Sequence, residues 1–89
     1  MMVDENTLLL SIPYPNDLLL SLKETQDEFE AEARLLLAVK LFELGRVSSG
    51  MAAKVAGLDR VSFIFALGRF GISPLGQTPE EVEQDIANA

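Results

Sequence analysis

Apolar positions in this chain fall into one short run, one long helical stretch and four brief helical ones, separated by proline, glycine and small polar residues. The short run, Thr7-Leu8-Leu9-Leu10-Ser11-Ile12, stops at Pro13-Tyr14-Pro15. Prolines on both sides of a tyrosine exclude helix and favour extended backbone. Residues 6–13 therefore read as a strand or an extended arm. A lone strand leaves its backbone donors and acceptors unmatched. The segment must pair with another chain, pair with a hidden strand, or lie as a packed arm.

Asn16 or Asp17 is placed to cap a short helix over Leu18–Leu22. Thr25-Gln26-Asp27-Glu28 is a capping-box pattern that predicts a long central helix, running to Leu44 and stopping at Gly45. Phe29, Ala33, Leu36, Leu37, Leu41 and Leu44 share one face at helical spacing, and Leu35, Ala38, Val39 and Phe42 widen it. A helix apolar over so much of its circumference is covered on more than one side. Ser48 or Ser49 then caps a helix over Gly50–Ala56, Gly57-Leu58 makes a tight turn, and Asp59 caps a helix over Arg60–Phe70 that ends at Gly71. Thr78-Pro79-Glu80-Glu81 opens a last helix over Pro79–Ala87, with Val82 and Ile86 on one side.

Composition turns this pattern into a class. Eighty-nine residues make one domain: an arm over 1–15, a helical core over 16–71 and an acidic helix over 78–87. A domain this short is marginal by itself, yet 48% of its residues are apolar. With no cysteine and no histidine, neither disulfide nor zinc completes the core, and oligomerisation is the remaining route. The expected fold is mainly α, a small helical domain completed by a second copy or a higher oligomer.

The same absences exclude Ser-His and Cys-His nucleophile pairs, so a binding module without metal or cofactor is expected, not an enzyme. Carboxylates remain; the series Asp27, Glu28, Glu30 and Glu32 is explained by the positive end of a helix and by solvation. The start Met1-Met2-Val3-Asp4-Glu5 lacks the basic opening of a signal peptide, and no apolar run reaches the length of a membrane span. A cytoplasmic location, with no membrane partner, is the expectation.

Net charge is −7, but its distribution matters more. Residues 33–76 carry six bases against Glu43 and Asp59, between acidic ends. Within that basic middle, residues 49–70 fit a helix-turn-helix template: Ala53 as the small contact, Gly57 as the turn, and Ala52, Ala56, Leu58, Phe63 and Ala66 inside. A plain three-helix core fits the same spacing. Candidate DNA contacts are Arg46, Ser49, Lys54, Arg60, Ser62 and Arg69, mainly to phosphate, with Arg60 as the one candidate base reader. With Phe63, Ala66, Leu67 and Phe70 inward, the outer side of that second helix presents Val61, Ile64 and Phe65. Base edges call for polar side chains there, so an apolar face points to a covering partner. Val61, Ile64, Phe65, Leu75, Val82 and Ile86 are the candidate partner contacts.

The stretch Glu32-Ala33-Arg34-Leu35-Leu36-Leu37-Ala38-Val39-Lys40-Leu41-Phe42-Glu43-Leu44-Gly45-Arg46-Val47-Ser48, followed by Met51 to Phe63 and by Leu67-Gly68-Arg69-Phe70-Gly71-Ile72, resembles a family of small prokaryotic proteins commonly described as antitoxins. Some of these are encoded beside PIN-domain ribonuclease toxins. The resemblance covers residues 25–86, including Thr78-Pro79-Glu80-Glu81. It implies a cytoplasmic toxin-neutralising protein, with repression of its own operon through the helix-turn-helix as a second role. The alternative is a homo-oligomeric interaction module in which the helix-turn-helix is scaffold and binds no DNA.

Overall fold

The computed structural model describes residues 5–74. The helices are α1 (Asp17–Leu22), α2 (Gln26–Glu43), α3 (Ser49–Ala56) and α4 (Arg60–Arg69). The expected last helix over 79–87 lies outside the described residues, as do Leu75, Val82 and Ile86. Among the described residues there is no strand, and residues 7–15 carry no regular element. Of the two readings of residues 6–13, a strand or an extended arm, the described chain shows the arm and offers no second strand for it to pair with.

Each helix boundary has a local cause. Asn16 sits at the cap of α1 in helical conformation and makes no side-chain cap bond, contrary to the expectation for Asn16 or Asp17. The first bond there runs from the Leu18 amide to the Pro15 carbonyl at 3.1 Å. Lys23, at φ 57°, closes the helix in the left-handed region. At α2 the capping box forms: the Glu28 amide donates to Thr25 Oγ1 at 3.2 Å, and the Thr25 amide donates to Glu28 Oε1 at 2.8 Å. Ser48, not Ser49, caps α3, accepting the Met51 amide at 3.2 Å. Asp59 caps α4 through the Ser62 amide at 2.6 Å.

The core is α2 on α3 and α3 on α4. Ala38, Val39 and Phe42 from α2 meet Ala52 and Ala53 from α3 and Phe63 and Leu67 from α4. Phe42 and Phe63 touch edge to face, with ring centroids 6.1 Å apart. Alanines on both sides let α2 and α3 approach closely, and the two phenylalanines fill the space beyond. This reverses the expected inward face of α2. Leu36, Leu37 and Leu44 lie exposed, and of the widening positions Ala38, Val39 and Phe42 are core while Leu35 packs against it partly buried. The short α3 and α4 can close only one side, and they close the one where Ala38 permits contact. Leu58 and Phe70, expected inside, are also exposed.

Candidate interaction site

Helices α3 and α4 are joined by the turn Gly57-Leu58-Asp59. Gly57 has φ 75°, and its turn is closed by the Leu58 amide donating to the Ala53 carbonyl at 2.9 Å. A side chain at Gly57 would be strained there, and its Cβ would lie 2.9 Å from the Arg34 guanidinium. Arg34 reaches from α2 to the end of α3, where its Nε donates to the Val55 carbonyl at 3.0 Å. A cation at a helix C-terminus satisfies carbonyls that the helix leaves unpaired and complements its dipole. Arg34 was not singled out by spacing. Its local signal is only a base at the start of the apolar run Leu35–Val39 of α2.

An open cleft of about 460 Å³ lies where α3 and α4 begin, lined by Ser48, Met51, Lys54, Leu58, Asp59 and Arg60. It brings together Lys54 and Arg60 from the candidate DNA contacts. Arg69 stands apart, on a hollow of about 330 Å³ with Glu32, Leu35 and Ala56. Arg46 and Ser62 are exposed outside both hollows. Lys54, Arg46, Arg60 and Arg69 have no carboxylate partner within 4.0 Å among the described residues. Ser49 is a correction: it is 1% exposed, and its Oγ accepts Arg60 Nε at 3.0 Å. It fixes Arg60 from within and is out of reach of an external ligand. The Ser62 amide is the cap bond to Asp59, and that bond holds the Asp59 carboxyl below its usual range.

On the other side of α4, Val61 and Phe65 are 64% and 76% exposed, four residues apart on one face, with Ile64 half-buried beside them. Phe63, Ala66 and Leu67 hold the opposite side in the core. Of the expected partner contacts, Val61 and Phe65 are therefore mostly exposed and Ile64 in part.

The arm is anchored by a contact that spacing did not reveal. Tyr14 packs edge-on against Phe29, centroids 4.8 Å apart, and its hydroxyl donates to Glu30 Oε2 at 2.9 Å. Gln26 Nε2 donates to the same oxygen at 2.9 Å, so Glu30 is held below its usual pKa by Gln26 and Tyr14. Tyr14 is raised in turn, first by desolvation and then by Glu30. At the α1–α2 junction, Glu24 is raised by desolvation, then by Glu32 and Glu28. No group of three or more His, Cys, Asp or Glu among the described residues is arranged to hold a metal ion. No described helix is long and apolar enough to cross a membrane.

No solved structure matches the chain. Two curated relatives are similar to it. A UPF0175 protein of Aeropyrum pernix is 42% identical over 59 residues, 66% of this chain and 65% of the relative, so slightly under two thirds of that protein is spanned. A UPF0175 protein of Archaeoglobus fulgidus is 38% identical over 73 residues, 82% of this chain and 80% of the relative. The family model of the uncharacterised protein family UPF0175 matches residues 9–89, so the arm from Leu9 onward and the whole helical core are family sequence, and the chain belongs to that family.

Proposed function

We propose that the chain is a toxin-neutralising regulatory protein of the antitoxin class, docking a partner protein on the exposed apolar face of α4. The observation that carries this reading is the placement of Val61 and Phe65, both more than half exposed on one side of a helix whose other side is core. Large apolar side chains kept in water on a well-anchored helix are what a protein partner buries. The chain's charge of −7 suits a basic partner, such as a nuclease whose own groove attracts RNA. The family resemblance through residues 25–86 supplies the class of partner.

In this reading α3, the Gly57 turn and α4 act as a helix-turn-helix, and operator DNA is the second target. Arg46, Lys54 and Arg60 are the phosphate contacts, since two of them line one cleft and none has a carboxylate partner among the described residues. Base reading by α4 is disfavoured by the same apolar face. A second reading, a self-associating module with no DNA role, is favoured by Arg60, whose Nε is engaged by buried Ser49. Self-association is common to both readings.

Co-expression with a PIN-domain ribonuclease of the same source tests the first reading. The intact chain should rescue growth and co-purify with the nuclease, and Phe65→Ser should lose both while keeping its helical spectrum. Rescue undiminished by Phe65→Ser would move the toxin contact elsewhere. Mobility shifts on upstream DNA at two salt concentrations separate the readings on DNA. Each lost phosphate contact should reduce the salt slope by about one unit, and absence of any shift leaves the interaction module.

A further inference from the structure

The arm has properties the α4 face does not explain. Leu8, Leu9, Leu10 and Ile12 are 92%, 76%, 71% and 62% exposed, the most exposed cluster of large apolar side chains in the described chain. None of residues 8–13 has a hydrogen-bonding partner among the described residues. At strand spacing, Leu8, Leu10 and Ile12 share one face and Leu9 and Ser11 the other. That is the pattern of a strand with one buried side, held in a chain with no described strand to receive it.

We infer that residues 8–12 are the dimerisation strand of the protein: two copies pair antiparallel about a two-fold axis at Leu10, forming a ribbon whose apolar side is closed by the outer face of α2. This deepens the self-association on which both readings above rest, and names its surface and register.

Three observations select a second copy as the occupant. Residues 6–16 contain no charged side chain, although Glu5 and Asp17 flank them and the chain carries −7. Copies of an acidic protein repel, and an uncharged segment is where they meet without setting like charges opposite one another. A partner recruited by charge would select the acidic surfaces instead.

The segment is also self-complementary in one register. A two-fold axis at Leu10 puts Leu10 opposite its own copy, Leu8 opposite Ile12, and Leu9 opposite Ser11, so Leu8, Leu10 and Ile12 of both strands fall on one side and Leu9 with Ser11 on the other. An axis at Leu9 would instead set Ile12 opposite Asn6, and an axis between Leu9 and Leu10 would mix the two faces. Pro13, with no amide hydrogen, lies opposite Thr7 and ends the ladder.

The third observation is where the arm is tethered. Tyr14 is fixed on Phe29, and Phe29 shares its side of α2 with Ala33, Leu36, Leu37 and Leu44. Five extended residues span about 17 Å, and Phe29 to Leu44 spans about 22 Å of helix. The exposed leucines of α2 thus offer the ribbon an apolar bed of matching length, which a two-stranded ribbon needs to be stable.

Because the chain has no cysteine, single-cysteine variants report the register cleanly. Under mild oxidation Leu10→Cys should give a covalent dimer and Leu9→Cys little, since only the first places a residue opposite its own copy. Light scattering on the unmodified protein should give twice the single-chain mass of 9.7 kDa at micromolar concentration. Leu10→Pro should give a monomer with its helical spectrum intact, because the arm lies outside the core. Equal cross-linking, or better cross-linking at Leu9, overturns the register. A dimer that survives Leu10→Pro overturns the arm as the interface. A monomeric unmodified protein overturns self-association itself, and with it the common ground of both functional readings.

Discussion

The two long sides of α2 carry nearly equal hydrophobicity and have opposite fates. On one, Ala38, Val39 and Phe42 are buried against α3 and α4; on the other, Leu36, Leu37 and Leu44 remain 40–59% exposed. Bulk alone does not explain the choice, since the exposed side carries three leucines and the buried side includes Ala38 beside Val39 and Phe42. Small residues on both helices, Ala38 with Ala52 and Ala53 in one buried cluster, suit close approach, and Phe42 meets Phe63 in the same cluster. The leucine side waits for something larger or more extended, and the arm of a second copy has both the chemistry and the length. One side of the helix thus serves the fold, and the other is left for the assembly proposed above.

Substitutions on the two sides should separate these roles most sharply. Phe63→Ala, in a fully buried site, should cost about 3–5 kcal/mol at any protein concentration. The double change Leu36→Ser, Leu37→Ser should leave the unfolding of dilute protein nearly unchanged and abolish the rise of Tm with concentration that a dimer shows. If the leucine pair lowered stability as much as Phe63→Ala in dilute solution, α2 would have one continuous core and the contrast would fail. Thermal unfolding across a hundredfold range of protein concentration makes the comparison.

Next in size is the turn that holds α4 in place. Gly57→Val should destabilise by about 1–3 kcal/mol, because β-branched residues resist a φ of 75°. Arg34→Met should cost about 1 kcal/mol, by removing a charged donor from the Val55 carbonyl while keeping most of the stem. Urea unfolding of both variants checks the order. An Arg34→Met loss equal to that of Gly57→Val would mean that Arg34 contributes more than a half-exposed cap.

These residues also mark what could be read from sequence. Thr25, Ser48, Asp59, Gly45 and Gly57 act through bonds to neighbours within a few positions, so the helix boundaries were legible within about a residue. The inward side of α2 was not, because periodicity reports that a stripe exists and not which stripe meets a neighbour. Arg34 and Val55 are 21 positions apart, and Tyr14 and Glu30 are 16 apart, so no local pattern contains them. Of the candidate contacts, the exposure of Val61 and Phe65 is legible because the inward phenylalanine and leucine of α4 define their opposite side. Ser49 was misjudged because a serine after a cap looks identical whether it faces solvent or, as here, Arg60.

The smallest expected effect tests where the buried side of α2 ends. That side does not run the length of the helix: toward the N-terminus it continues into Glu32 and Glu28, with Glu24 just before the helix. Glu24 Oε1 is shut from solvent with no hydrogen-bond partner among the described residues, and desolvation together with the Glu32 and Glu28 carboxylates raises its pKa. A carboxyl with a raised folded pKa favours the folded state fully below its unfolded pKa, and that contribution is lost as pH rises through the folded value. At neutral pH Glu24 therefore weakens the fold, and Glu24→Gln should raise Tm. The gain should shrink as pH falls to about 4 and below, where the unfolded carboxyl is protonated as well. Asp59 supplies the opposite sign: its pKa is lowered, so its stabilisation is present above the unfolded value and lost as pH falls through the folded one. Asp59→Asn should accordingly lower Tm at neutral pH and matter least in acid. Melting curves of both variants between acid and neutral pH should diverge as pH rises. Parallel curves would place Glu24 in open solvent and extend the uncovered side of α2 around its first turns.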